Sequence, residues 1–245
     1  MQLAGNIFSN VSAGIGDEIS TFPDYPAEIR APQGTLGGVS GFQVHIGRGV
    51  HTPGDLADVL VAMNPAALKT NARYVKKGGV VIIDSDSFRA SDLEKAAFKT
   101  DDPIQEAGLS HAQVVPVSIT QMVKDSLADS GLDNKSIVRC KNMFALGLVC
   151  WLFDRPLEQA QHLLKNKFAK KPAIYEANAK VMCDGYNYGN NIHASVSTYR
   201  VESAQVKPGI YTDVNGNTAT AWGLIAASEK SGLPLFLGSY PITPA

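Results

Sequence analysis

Two uninterrupted apolar runs on either side of a helical segment constrain the fold more than any other feature of this sequence. The first is ADVLVAMN at Ala57–Asn64, and the second is Val80–Ile83 in VVIIDSDSF. Runs of this kind are typical of strands buried on both faces of a parallel sheet. Asn64-Pro65 has the sequence of a helix N-cap and first helical position. The helix is predicted to continue through about Val75 and to end at the cations and glycines of Lys76–Gly79. Strand, helix and strand in this order predict an α/β fold.

The segments on either side extend the alternation of helix and strand. Apolar residues at helical spacing from Leu3 to Val11 predict that the chain begins inside an amphipathic helix. VSGFQVHI at Val39–Ile46 alternates as a strand does, whereas residues 21–38 hold three prolines and three glycines and are predicted to form an ordered loop. AQVVPVSIT is predicted to be a strand in which Pro116 favours an edge position or a bulge.

The pattern becomes helical from Thr120 onward. Helices are predicted at Lys135–Phe153, at Leu157–Phe168 and from Pro172 to about Tyr188. ASVSTYRVES, which follows them, is predicted to be a final strand. The segment up to this point therefore reads as an α/β domain with a helical second half.

A second, much smaller segment follows a connector of turn-forming residues. Asn217 is predicted to cap a helix, and Leu233–Leu237 is predicted to be a strand. One helix and one strand are too little to bury a core. We therefore place a domain boundary near residue 207, with one domain at residues 1–206 and the beginning of another at residues 207–245.

Composition excludes several classes of function. The 245 residues carry a formal net charge of -1, which predicts no nucleic acid partner and no anionic membrane partner. The longest uncharged apolar run, Met143–Phe153, is too short to span a bilayer, and no signal peptide is apparent at the N-terminus. Cys140, Cys150 and Cys183 form no CxxC pair, so we expect reduced thiols, a cytoplasmic location and no metal ligation within this chain.

Polar residues follow both apolar runs, at the point where ligands bind in open α/β sheets. Asn64 follows the first run, and Asp84, Ser85 and Asp86 follow the second. Asn64 is already explained as a helix cap. Two carboxylates without further ligands are weak support for a metal site, and the five histidines show no metal spacing.

Several motifs are similar to one known family. FPDYPAEIRAPQGTLGGVSGFQVHI, and DVLVAMNPAALK followed by GGVVIIDSD, resemble the gamma domain of the 2-oxoacid:ferredoxin oxidoreductases. Residues 216–245, which end in LPLFLGSYPITPA, are similar to the opening of the family's alpha subunit. The resemblance implies a three-layer α/β/α, Rossmann-like gamma domain with a helical C-terminal half. The first helix and strand of a second α/β domain would follow it.

The order of the two parts carries further implications. Gamma ahead of alpha is the arrangement of the 2-oxoglutarate synthase alpha subunit, which favours 2-oxoglutarate over pyruvate as substrate. In the family, the gamma domain begins with a strand and a glycine-rich turn, and the alpha domain continues well beyond YPITPA. The resemblance therefore implies that this chain is truncated at both ends.

The resemblance also implies an activity, which is coenzyme A-dependent oxidative decarboxylation of a 2-oxoacid with ferredoxin as electron acceptor. The enzyme would be a hetero-oligomer with a beta subunit. Thiamine diphosphate with magnesium and an iron–sulfur cluster are expected in the complete complex, held mainly by other domains or by the beta subunit. None is expected to be bound by this chain alone. The family's glutamate that activates thiamine lies beyond this chain, so no catalytic residue is assignable.

Two residues are candidates for substrate binding. Thr243 matches the threonine of the YPITP motif, which the family associates with the substrate carboxylate. Pro241 and Pro244 would hold its hydroxyl as a preorganised donor, although a threonine in an ordinary turn would look the same. Tyr240 and Ile242, together with these prolines, are expected to shape the loop.

Arg30 of the gamma motif is the second candidate. Its guanidinium suits a substrate carboxylate or a coenzyme A phosphate, whereas the alternative is a structural pair with Glu28 that fixes the proline-rich loop. The family usually has an acidic residue after GN at the start of the last helix, and this chain has Thr218 there. Because of this difference, the resemblance gives little support for a functional role at the N-terminus of this helix.

A non-catalytic module is the alternative function. A nucleotide-binding module is disfavoured because neither GxGxxG nor GxxxxGK[ST] occurs in the sequence. A docking module fits the short second segment, because an exposed apolar strand needs a cover.

Overall fold

The computed structural model describes residues 1–24, 39–192, 196, 198–212 and 214–238. The chain divides into two compact units, Met1–Gln205 and Val206–Ala245. The strands of the first unit are β1 (Glu18–Asp24), β2 (Gly41–Gly47), β3 (Ala57–Ala62), β4 (Val75–Asp84) and β5 (Gln113–Val117). Its α-helices are α1 (Gln2–Gly14), α2 (Pro65–Asn71), α3 (Ala90–Lys95), α4 (Pro103–Glu106), α5 (Ile119–Ser126), α6 (Asn134–Arg139), α7 (Lys141–Leu152), α8 (Leu157–Lys167) and α9 (Pro172–Ile192).

The two apolar runs form neighbouring strands of a parallel sheet, as predicted. The sheet has the order β3-β4-β5, and Leu60 and Val61 lie opposite Val81 and Ile82. Strand β5 lies at the edge of this sheet, where its Pro116 is opposite Ile83. An edge position leaves one side of the strand without a ladder, so the missing N–H of proline is tolerated there. Strands β1 and β2 form a separate antiparallel pair.

Alternate side chains of β4 enter two apolar clusters on opposite faces of the parallel sheet. Val80 and Ile82 belong to a cluster with helices α1, α7 and α9, whereas Val81 and Ile83 belong to a cluster with α2 and α3. The alternation follows from the period of two along a strand. Helices therefore cover both faces of the sheet, which is the three-layer α/β/α arrangement that the family resemblance implies.

Helices α7 and α9 pack so closely that glycine is required at their crossing. A Cβ atom on Gly147 would overlap the carbonyl oxygen of Met182, and one on Gly185 would overlap the carbonyl oxygen of Phe144. Both obstacles are backbone atoms, so a rotamer change cannot relieve them. The apolar helix α7 is consequently held against α9 along the centre of the helical half.

A buried ion pair joins helix α1 to the junction between α7 and α8. Arg155 follows α7, and its Nη2 atom donates to Oδ2 of Asp17, just after α1, at 2.7 Å. Burial raises the pKa of Asp17, and the Arg155 guanidinium opposes that shift. Removing one partner would leave an uncompensated buried charge, so the pair fixes the relative position of these elements.

Three predicted boundaries in the first unit were wrong. Lys76–Gly79 does not end a helix but belongs to β4, because the helix stops at Asn71 and the strand begins at Val75 with an irregular register against β3. The predicted helix Lys135–Phe153 is divided at Cys140 into two helices. Two i→i−3 hydrogen bonds tighten the turn there, one from Cys140 N–H to Ile137 O and one from Met143 N–H to Cys140 O. Residues 21–24 lie in strand β1 rather than in a loop, and residues 25–38 lie outside the described chain.

The predicted strand at ASVSTYRVES was also wrong for the residues that the structure describes. Residues 198–205 pair with no strand there, because their backbone groups bond elsewhere. Tyr199 N–H donates to Leu152 O at 2.7 Å, and Ala204 N–H donates to Gly16 O at 2.9 Å. This segment therefore ties the ends of α7 and α1 together.

The second unit contains helix α10 (Gly216–Ser231). Its N-cap is Asn215, whose Oδ1 accepts from Thr218 N–H at 2.9 Å, rather than the predicted Asn217. Gly232 ends the helix in the left-handed conformation, with φ 70°. Leu233–Leu237 is not a strand, because no partner strand lies among the described residues of this unit. None of those described residues is buried.

No helix in the described ranges is long and apolar enough to cross a membrane.

Candidate binding site at the carboxyl edge of the parallel sheet

The carboxyl ends of β3, β4 and β5 bring polar residues to one edge of the parallel sheet. Asn64 follows β3, and Asp84 is the last residue of β4. Ser85–Ser87 continues from β4 as one turn of 3-10 helix, and Ser118 follows β5. The Oγ atoms of Ser85 and Ser118 are 3.2 Å apart, so the turns after the two strands are in contact.

Asn64 serves as the N-cap of α2, as the sequence predicts. Its Oδ1 atom accepts from Ala67 N–H at 2.8 Å, and Pro65 occupies the first turn. The amide side chain satisfies one of the free N–H groups at the helix start. Its oxygen is therefore engaged in the fold.

Asp84 is fully buried and is bound by four donors. Its Oδ1 accepts from Thr120 N–H at 3.1 Å, and its Oδ2 accepts from the hydroxyls of Thr120 and Ser87, each at 2.7 Å. Lys141, the first residue of α7, completes the set with an ion pair of 3.3 Å. A buried carboxylate requires such partners. Asp84 thus connects β4 to both α5 and α7.

Asp86 has a related role one turn further on. Its Oδ2 accepts from Gln121 N–H at 2.7 Å. Together, Asp84 and Asp86 satisfy the N–H groups of Thr120 and Gln121 in the first turn of α5, where negative charge also suits the helix dipole. The pair that sequence reasoning considered as metal ligands is therefore a helix cap supplied by the neighbouring strand. Among the described residues, no group of three or more His, Cys, Asp or Glu could hold a metal ion.

A cleft of about 1260 Å³ opens beside this edge. One end is polar and carries Asn64, Ser87, Arg89, Lys141 and Asn142. The remaining wall is mainly apolar and includes side chains of α1, β2, β3 and α7. Arg89 and Lys141 at the polar end already pair with Asp92 at 3.7 Å and with Asp84 at 3.3 Å, so an anionic group there would compete with these carboxylates. The apolar wall can bind an uncharged group.

The three cysteines do not form a cluster site. All are free thiols, with Cys140 and Cys150 buried and Cys183 partly exposed. Burial raises the pKa of Cys150 to about 12 and raises the pKa of Cys140. A thiol ligates metal as the thiolate, which burial disfavours here. The described residues therefore fit neither an iron–sulfur cluster nor a magnesium site.

The residues that the sequence puts forward for substrate binding lie outside the described residues. Arg30 and its neighbour Glu28 belong to residues 25–38, and Thr243 belongs to residues 239–245. The loop residues Tyr240, Pro241, Ile242 and Pro244 lie in that second range as well. Their roles remain predictions.

Sequence reasoning missed Lys141 and Thr120. Lys141 is the last charge before the apolar run that begins at Met143, and this position was the available signal. Thr120 follows the strand around Pro116 in the pattern SIT, which is typical of a helix start. Their partnership with Asp84 spans 36 and 57 residues of sequence, so spacing alone does not reveal it.

The comparison with family models matches this architecture to one family. Residues 1–188 match the model described as pyruvate ferredoxin/flavodoxin oxidoreductase. That match covers most of the chain and includes the parallel sheet, its carboxyl edge and helices α1 to α8. The chain belongs to this family.

A relative of known name covers the whole chain. The 2-oxoglutarate oxidoreductase subunit KorA of Mycobacterium tuberculosis is 46% identical over 246 residues, an alignment that takes in 100% of this chain. The same alignment takes in 38% of the relative. The chain thus spans well under half the length of this relative.

Two solved structures share the fold. The 2-oxoglutarate:ferredoxin oxidoreductase from Magnetococcus marinus, with 2-oxoglutarate, coenzyme A and succinyl-CoA bound, matches 82% of this chain and 31% of its own at a TM-score of 0.57 and 22% identity. The gamma subunit of a keto/oxoacid ferredoxin oxidoreductase from Geobacter sulfurreducens matches 77% of this chain and 90% of its own, at a TM-score of 0.51 and 21% identity. This chain therefore shares the α/β fold of an oxidoreductase gamma subunit.

The cap role of Asp84 predicts a loss of stability rather than a loss of metal binding when its charge is removed. Asp84→Asn should lower the free energy of unfolding by about 2–3 kcal/mol, because Lys141 loses its counter-ion and two hydroxyls must reorient. Asp86→Asn is the matched control and should cost only about 0.5–1 kcal/mol, as the loss of one exposed cap does. Urea unfolding measures both values.

A metal site at the same residues would behave differently. Magnesium would then raise the melting temperature of the unmodified chain, and the Asp84→Asn variant would lose that response. We expect no change in melting temperature on adding magnesium or EDTA.

Proposed function

We propose that this chain is part of a 2-oxoglutarate:ferredoxin oxidoreductase subunit, with the gamma domain at residues 1–206 and the beginning of the alpha domain at residues 207–245. The observation that carries the proposal is the 46% identity to the KorA subunit across the whole chain. The fold match to the gamma subunit from Geobacter sulfurreducens supports the first part. A stand-alone docking or nucleotide-binding module is not favoured, because the family match includes the complete sheet and most of the helical half.

The proposed reaction converts a 2-oxoacid and coenzyme A into an acyl-CoA, carbon dioxide and a proton. The two electrons released pass to two ferredoxin molecules. Thiamine diphosphate supplies the carbanion-stabilising chemistry when bound, and an iron–sulfur cluster carries the electrons. The described residues fit neither an iron–sulfur cluster nor a magnesium ion that would accompany the diphosphate, so we propose that both cofactors are held mainly by other domains or by a beta subunit. This chain would then contribute binding and orientation.

The proposed assembly is a hetero-oligomer with a beta subunit, which uses coenzyme A as substrate and ferredoxin as acceptor. We also propose a cytoplasmic location. Three free thiols support that location, because reduced cysteines are typical of a reducing compartment. Recovery of the protein only from a membrane or extracellular fraction would count against it.

Thr243 and Arg30 are the proposed substrate-binding residues. Pro241 and Pro244 restrict the backbone around Thr243, which lowers the entropic cost of presenting its hydroxyl to a carboxylate. A guanidinium binds carboxylate or phosphate with two parallel hydrogen bonds. Tyr240, Pro241, Ile242 and Pro244 would shape the loop that carries Thr243.

The activity is tested on the complete subunit expressed together with its beta subunit under anaerobic conditions. We expect reduction of methyl viologen that requires both 2-oxoglutarate and coenzyme A. Pyruvate should be at least about tenfold slower, because a site that binds the second carboxylate discriminates against an analogue without it. A cofactor-loaded complex that is inactive with every 2-oxoacid would refute the proposal, and a preference for pyruvate would refute its substrate.

Replacing the hydroxyl of Thr243 tests its role in that complex. Thr243→Val keeps the shape of the side chain and should lower kcat/KM for the 2-oxoacid by about 10- to 100-fold, the loss of roughly 1.5–3 kcal/mol from a hydrogen bond to a charged group. Thr243→Ser retains the donor and should stay within a few-fold of the unmodified enzyme. Equal activity of all three enzymes would make Thr243 an ordinary turn residue.

Variants of Arg30 and Glu28 distinguish anion binding by Arg30 from a structural ion pair between the two residues. If Arg30 binds an anion, Arg30→Met should raise KM for the 2-oxoacid or for coenzyme A about tenfold or more without lowering the melting temperature. Glu28→Gln should leave both KM values unchanged. A similar drop in melting temperature for both variants, with normal KM values, would show that the two residues form a structural pair.

A further inference from the structure

The segment between Glu158 and Glu176 carries an unusual concentration of positive charge. Its 17 intervening residues include four lysines and a histidine but no aspartate or glutamate. The whole chain has 22 basic and 23 acidic residues, so this segment departs strongly from the balance of the chain as a whole. The four lysines, here termed the lysine surface, are Lys165, Lys167, Lys170 and Lys171.

The lysine surface is exposed and has no counter-ions within the described chain. All four residues are exposed to solvent. None takes part in an ion pair or a side-chain hydrogen bond that the described residues form, whereas some other lysines do. Lys76 pairs with Asp58 at 2.8 Å, and Lys141 pairs with Asp84 at 3.3 Å. The positive potential of the surface is therefore directed outward.

Helix electrostatics account for only half of these charges. Lys165 and Lys167 lie in the last turn of α8, where the helix dipole favours cations. Lys170 and Lys171 directly precede α9, at a helix start that disfavours cations and has no acidic residue in its first turn. The helix dipole therefore does not account for this second pair.

We propose that the lysine surface attracts an acidic electron-carrier protein of the ferredoxin or flavodoxin type to the assembled enzyme. This inference rests on the proposed function, in which electrons must leave on a mobile protein acceptor. Such acceptors give the family its name. Complementary charge raises the rate of encounter between proteins and orients the partners before contact. Four outward-facing cations without counter-ions in the described chain meet that requirement.

The experiment compares two acceptors for the complete complex with its beta subunit. In the double variant Lys170→Glu, Lys171→Glu, we expect kcat/KM for an acidic ferredoxin to fall roughly five- to tenfold at low ionic strength. Turnover with methyl viologen and KM for the 2-oxoacid should not change. The difference in kcat/KM for ferredoxin between the variant and the unmodified complex should decrease as the salt concentration is raised to about 0.5 M.

The choice of residues keeps the variant folded. Glutamate before α9 suits the helix dipole better than lysine does, so the melting temperature should stay the same or rise slightly. The control is Lys77→Glu with Lys135→Glu, which reverses two other exposed lysines, on β4 and α6, and changes the net charge equally. It should retain the unmodified kcat/KM for ferredoxin.

A direct binding measurement makes the result independent of turnover. Immobilised complex should bind ferredoxin more weakly when it carries K170E and K171E than when it carries the control pair. Equal ferredoxin affinity for both variants would overturn the proposal. So would binding of RNA or of anionic vesicles that depends on the lysine surface while ferredoxin binding does not.

Failure of the proposed oxidoreductase function would give a different result from failure of the lysine-surface proposal. An unmodified complex that reduces neither viologen nor ferredoxin would count against the oxidoreductase itself. A variant that loses viologen turnover together with ferredoxin turnover would place the lysine surface inside the assembled enzyme, and this would also overturn an attraction role.

Discussion

The buried carboxylate of Asp84 is the interaction on which the rest of the first unit depends. A charge that is fully removed from water must be matched by donors, and Asp84 obtains them from the turn after β4, from the start of α5 and from the start of α7. The sheet can therefore carry this residue only if α5 and α7 occupy their observed positions. The carboxyl edge of the sheet and the polar end of the cleft acquire a fixed geometry as a result.

The helical half is fixed by two other constraints of a different kind. Gly147 and Gly185 allow the backbones of α7 and α9 to approach within a distance that no larger residue permits. The Asp17–Arg155 ion pair then ties the end of α1 to the loop after α7. Steric and electrostatic constraints thus act on the same helix from both sides, so α7 is a rigid support for Lys141 at the edge of the cleft.

Much of the fold could be predicted from the sequence because its signals are local. The apolar runs of β3 and β4, the Asn64-Pro65 helix start and the edge position of Pro116 each depend on a few adjacent residues, and the structure confirms them. Two of the errors arose where distant contacts decide the outcome. Tyr199 bonds to the end of α7 instead of a strand, and the carboxylates of Asp84 and Asp86 cap a helix more than 30 residues away. Spacing along the chain carries no record of such partners, so the candidate site could be located but its chemistry could not be assigned.

Because helix α10 is exposed, we expect its thermal unfolding to differ from that of the first unit. Trp222 and Ile225 are 55% and 52% exposed, and no described residue of the second unit is buried. A helix of 16 residues held by one cap at each end has only local hydrogen bonds to lose, so its helicity should decline gradually over a broad range of temperature. The first unit, with its shared core, should lose structure in a single sharp transition. A calorimetric trace would therefore record the cooperative transition of the first unit and no separate transition for helix α10.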